Sequence, residues 1–183
     1  MTAQDKPFIL TTQSWLENIV IALNLCPFAK REVIKNRVHY IVCHSNETQS
    51  LLTTLEQAAT QLANSTDIET TLVIHPHVLQ HFEDYNAFLD PAEQRLTALG
   101  YEGILQIASF HPHYQFADTK PEDPENYTNR SPYPLIHLLK EDSVEKAIAN
   151  YPDPTQIPKN NIALMNQLGE QKLQQLVQNC LVN

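Results

Sequence analysis

Apolar residues recur along this chain at two spacings. Leu16, Ile19, Val20 and Leu23 fall at helical intervals behind Ser14 and Glu17, which have the spacing of a capping box. Pro27 ends or restarts that helix. Residues 38–43 are β-branched, aromatic and almost continuously apolar, which predicts a buried strand. Leu51, Leu55, Ala58, Ala59 and Leu62 mark a second helix, closed by Asn64 and Ser65. Residues 70–74 form a second strand, stopped by His75-Pro76. Helix follows from about Val78, with a second piece begun by Asp90-Pro91-Ala92-Glu93 and ended by Gly100. Residues 104–110 form a third buried strand, stopped by His111-Pro112. After a polar, proline-bearing loop over 112–132, residues 135–140 read as a strand, because Asp142-Ser143-Val144-Glu145 opens a fresh helix. Pro152, Pro154 and Pro158 make a bend. A last helix over 161–181 carries Met165, Leu168, Leu173, Leu176, Val177 and Cys180.

Strand–helix–strand–helix–strand forces parallel pairing, since each helix is a crossover. The expected fold is therefore α/β: a small mixed sheet of three parallel strands and an antiparallel fourth, flanked by helices. A ferredoxin-like α+β arrangement of the same elements is the alternative. No repeat, low-complexity tract or boundary divides the chain, so 1–183 is read as one domain.

Charge narrows the partners. Twelve basic and 21 acidic residues give −9, which repels phosphate backbones and anionic lipid and disfavours nucleic-acid or membrane binding. Three cysteines, at 26, 43 and 180, are widely spaced and include no CxxC pair. That pattern fits reduced thiols in the cytoplasm. The start of the chain lacks the charged and apolar runs of a signal peptide. With only three glycines there is neither a dinucleotide fingerprint nor a phosphate loop.

Candidate chemistry collects where strands end. Cys43-His44, His75-Pro76-His77 and His111-Pro112-His113 follow the first three strands. If those strands run one way, five histidines share the carboxyl rim, where open α/β sheets bind ligands. An extended His-x-His pair presents both rings on one face, so His75, His77, His111 and His113 are candidate ligands for a divalent metal such as zinc. Each pair also has a plainer use, as a strand stop. Cys26, before Pro27, is a thiolate if a helix starts there and a protonated thiol if one ends there. With His111 as its base it makes a nucleophile–base pair. Arg130, between Asn129 and Ser131, offers a planar fork for carboxylate or phosphate, or else pins its own loop to a nearby acid. His137 sits among apolar residues.

Three words of the sequence, NLCPFA at 24–29, SFHPHYQFA at 109–117 and NYTNRSPYPLIHLLKE at 126–141, resemble the signature segments of the bacterial and plant family called domain of unknown function 1415. The resemblance implies no activity, substrate or cofactor. It does draw attention to Cys26, His111, Tyr114, Gln115, Phe116, Asn129, Arg130, Ser131 and His137, and not to His44, His75 or His77.

Three functions follow as expectations. The first is a small enzyme of thiol–imidazole type, a hydrolase or transferase: Cys26 and His111 are catalytic. Tyr114, Gln115, Asn129, Arg130, Ser131 and His137 bind a small anionic molecule. The second is a histidine-rich metal protein or metal-dependent hydrolase, and the third a non-catalytic binding module.

Overall fold

A computed structural model describes residues 2–181. Four strands form one sheet in the order β1-β2-β4-β3, with β1 Val38–Val42, β2 Thr70–Ile74, β3 Leu105–Phe110 and β4 Leu135–Lys140. β1 and β2 pair in parallel, and β4 lies antiparallel between β2 and β3. The first three strands thus point the same way, but only one pair of them touches. β4 fills the gap that the second crossover leaves. A ferredoxin-like sheet splits both βαβ pairs with an intervening strand; here β4 splits β2 from β3 in that way, but β1 and β2 are neighbours, so the full ferredoxin-like order is not formed. β1, expected as a buried strand, is a half-buried edge, because no strand covers its outer side.

Strand alternation divides the core into two layers. Val73, Ile136, Leu138 and Leu105 face helices α3, Thr48–Asn64, and α4, Phe82–Ala98. Leu72 and Leu135 face the opposite layer, with Trp15, Leu16, Ile19, Met165 and Leu173. That layer contains α1, Lys6–Trp15, which widens into a π-helix at Leu16–Ile21. After it come α2, Ala29–Ile34, and the terminal helices α6, Gln156–Leu168, and α7, Glu170–Asn179. Helix α5, Glu141–Ala149, packs beside β4.

Three helix boundaries differ from expectation. The first helix starts eight residues before Ser14. Thr2 and Asp5 close the turn ahead of it: the Thr2 N–H donates to Asp5 Oδ2 at 2.9 Å and the Asp5 N–H to Thr2 Oγ1 at 3.2 Å. Asp90-Pro91 opens nothing, since α4 runs straight through Pro91. Tyr85, Phe88, Ala92 and Leu96 are all buried on one face of it, and that burial outweighs the missing hydrogen bond. The last helix is two, broken where Gly169 takes φ 75°. Among the described residues, no helix is long and apolar enough to cross a membrane.

Candidate functional site

The carboxyl rim of the sheet is built around Tyr85. Phe110 and Leu135 are register partners at the last rung between β3 and β4. The Tyr85 hydroxyl stands in that rung, accepting from the Phe110 N–H at 3.0 Å and donating to the Leu135 carbonyl at 2.8 Å. Burial pushes its pKa well above that of a free phenol. Two fully buried imidazoles lie against its ring, His75 at 5.8 Å and His111 at 5.1 Å between centroids.

Both His-Pro-His words turn instead of staying extended, and the first ring of each folds back onto its own loop. The His75 Nδ1–H donates to the Val78 carbonyl at 3.0 Å, and its Nε2 is buried without a partner among the described residues. The His111 Nδ1 accepts the His113 N–H at 3.0 Å, while its Nε2–H donates to the Leu79 carbonyl at 3.1 Å. Leu79 itself sits at φ 58°, a left-handed conformation worth about 1–2 kcal/mol of strain for an L-residue. Desolvation holds both His75 and His111 at a pKa of about 4, so both rings are neutral at pH 7.

This arrangement divides the four histidines expected to ligate a metal, although the His111 and His113 rings stay 5.9 Å apart. His75 and His111 turn toward Tyr85, whereas His77 turns the other way, onto Phe8 at 5.7 Å, and His113 is exposed. Among the described residues, no three His, Cys, Asp or Glu side chains are grouped as a metal ion needs.

Cys26 and His111 are not brought together either. The thiol packs against the layer of Trp15, Leu16 and Ile19, whereas the His111 ring contacts Phe82 and Tyr85 on the other face of the sheet. Desolvation raises the Cys26 pKa, with weaker opposition from backbone N–H groups at Phe28 and Ala29, so the thiol is protonated at neutral pH. Both nitrogens of His111 are engaged by backbone, and neither is free to take its proton.

The long loop is held by its own polar residues. Buried Asn126 accepts from the Phe116 N–H and the Thr119 hydroxyl and donates to the Lys120 carbonyl. Gln115 donates to the Thr119 carbonyl, and Tyr114 packs on Phe82 and Phe116. Asn129 donates to the Ser109 carbonyl, and the Ser131 hydroxyl to that of Tyr133. The Arg130 guanidinium donates to the carbonyls of Tyr114 and Pro121 and stacks over Tyr127 at 4.4 Å. Its fork thus grips backbone, neither an anion nor the loop acids. In β4, His137 donates through Nε2–H to Thr70, whose hydroxyl donates onward to the Leu138 carbonyl at 2.8 Å. Burial lowers the His137 pKa to about 4.

One imidazole at the rim is arranged differently. The His44 Nε2–H donates to Asp5 Oδ1 at 2.8 Å, and Nδ1 is covered without a partner among the described residues. Asp5, ionised down to a pKa of about 2, owes that first to His44 and then to Thr2. Phe8, one turn along α1, meets the rings of His44, His77 and Tyr133 edge-on at 5.8, 5.7 and 5.2 Å. Sequence reasoning placed His44 at this rim but passed over Asp5, Phe8 and Tyr133. The available signal was Thr2-Ala3-Gln4-Asp5 followed by Pro7, a helix start that lays α1 across the strand ends.

A family model described as "Protein of unknown function (DUF1415)" matches residues 8–175. No curated protein and no solved structure matches the chain.

Proposed function

From the premise that the chain belongs to the DUF1415 family, which brings no reaction with it, we propose a small enzyme that moves a proton at His44. The observation carrying this reading is the Asp5–His44 pair: a carboxylate on one ring nitrogen, the other nitrogen bare, at the carboxyl ends of co-directional strands. A carboxylate so placed fixes the tautomer and stabilises the imidazolium formed when the far nitrogen takes a proton. Nδ1 is therefore the base, and the acid once charged. Phe8 meets the His44 ring edge-on, with His77 and Tyr133 against its own ring, so a substrate reaches Nδ1 past the Phe8 side chain while Asp5 keeps its bond to Nε2. The thiol–imidazole version, with Cys26, His111 and an anion on Arg130, loses its support: the thiol is protonated on the other face, and the imidazole and guanidinium are spent on backbone.

The test is a panel of small esters, carbonyl compounds and phosphoesters, screened by thermal shift and then for turnover. A compound is expected to stabilise the wild type but not His44→Gln, with turnover falling ~10²-fold or more in Asp5→Asn. Turnover unchanged in both variants would rule the reading out. A non-catalytic binding module is the second reading, favoured by how much of 109–131 serves as scaffold. It predicts binding at the rim without turnover.

A further inference from the structure

β3 is an edge strand, and the phase of its hydrogen bonds shows which groups face outward. The Glu141 N–H donates to the Ile104 carbonyl at 3.0 Å, so the even-numbered residues of β3 bond to β4. Leu105, Ile107 and Ser109 therefore turn their backbone groups to the open side. Two of these six groups are satisfied within the chain. The Leu105 N–H donates to the Tyr101 carbonyl, and the Ser109 carbonyl accepts from Asn129 Nδ2, both at 3.0 Å. Four are left without a partner among the described residues: the Leu105 carbonyl, both groups of Ile107 and the Ser109 N–H.

That remainder is self-complementary. Turned about a two-fold axis at Ile107, each Ile107 N–H meets the other copy's Ile107 carbonyl, and each Ser109 N–H meets a Leu105 carbonyl. An antiparallel rung exchanges two bonds; because Tyr101 and Asn129 already hold the Leu105 N–H and the Ser109 carbonyl, the pairing makes two bonds at the Ile107 rung and one at each rung beside it. We propose that β3 pairs antiparallel with β3 of a second copy of this chain, joining the two sheets across a two-fold axis.

Charge and side chains favour this edge. Each chain carries −9, so copies approach best where charge is lowest, and β3, LQIASF, has no ionisable residue. It also lacks the lysine, proline or bulge that usually guards an edge. Leu99 and Ile104, 41% and 47% exposed, flank its start and supply apolar surface to cover. The opposite edge is less open: α1 packs against β1, which follows directly on the charged Lys35 and Arg37.

Sedimentation velocity of the full chain, from about 5 to about 200 μM, reads the association. A concentration-dependent species of twice the chain mass is expected. Ile107→Pro removes an N–H that bonds nothing inside the chain, and is expected to weaken dimerisation tenfold or more. Ser109→Pro does the same from the next rung, without touching the Ile107 side chain. Amide exchange on the wild type needs no variant: Ile107 and Ser109 slow as concentration rises, and the amides of β1 do not. A wild type that sediments as a monomer throughout overturns the proposal. So does a dimer whose Ile107 and Ser109 amides exchange at rates independent of concentration.

Discussion

Lowering the pH from 7 to about 4.5 is expected to unfold this protein. The cause is two imidazoles with no exposure to water, His75 and His111, whose pKa values desolvation lowers from 6.5 to about 4. Above pH 6.5 both rings are neutral in the folded and the unfolded chain, and their contribution to stability is fully present. Below 6.5 the unfolded chain takes up protons that the folded one refuses, until pH nears 4. Stability is therefore lost as pH falls through that window, at about 1.4 kcal/mol per pH unit for each ring. Two rings over the window give about 7 kcal/mol as an upper bound, a large part of the ~5–15 kcal/mol that holds a domain folded. The two also repel each other once charged, and His137 adds in the same direction. Asp5 acts lower down: its contribution is present above pH 3.8 and fades only toward pH 2. Thermal unfolding followed by near-UV circular dichroism should give a Tm that is flat above pH 7 and falls steeply below pH 6. A Tm unchanged between pH 7 and pH 5 would show that these rings are hydrated.

Removing one oxygen atom should be nearly as damaging. In Tyr85→Phe the Phe110 N–H and the Leu135 carbonyl both lose the hydroxyl standing between them, in a rung that the ring itself wedges open. Each stranded backbone group costs about 1–3 kcal/mol, so the variant should lose about 2–6 kcal/mol. For a chain of this size, at about 3 °C per kcal/mol, that is ~6–18 °C in Tm. The local sign is specific: exchange of the Phe110 amide should accelerate more than that of Leu72 or Val73. A variant melting within 2 °C or so of the wild type would mean that β3 and β4 close the rung directly.

Much of this framework was legible in the residues. β2 has the expected bounds, and the shared direction of β1, β2 and β3 follows from the crossovers alone. Neighbours were harder. Nothing local in 135–140 says that the strand inserts beside β2 as well as β3, because that choice is made by two faces burying at once. The first helix hid for a different reason. Its inward face carries Thr11 and Thr12, both fully buried, so apolar spacing gives no stripe before Trp15. Pro91 misled in the other direction, since an N-cap signature and a tolerated interior proline look alike until packing decides.

The site shows the same division. That His75 and His111 reach one rim was readable from strand ends, but the assumption of extended His-Pro-His was not safe. Pro76 and Pro112 turn the chain, and the rings prefer the carbonyls and N–H groups that the turns expose. The Asn129-Arg130-Ser131 word was conspicuous as polar side chains. Its partners are almost all backbone atoms, which a sequence does not display. Asp5 lay outside every conspicuous segment, and only the path of α1 over the strand ends carries it to His44.

Long-range nitrogen–proton NMR of the imidazoles at slightly alkaline pH reads the rim most directly. The account predicts that His44 carries its proton on Nε2 facing Asp5, with Nδ1 bare, and that Asp5→Asn shifts that signal while leaving His75 as the Nδ1–H form. A proton found on His44 Nδ1, or a His44 signal indifferent to Asp5→Asn, would contradict it.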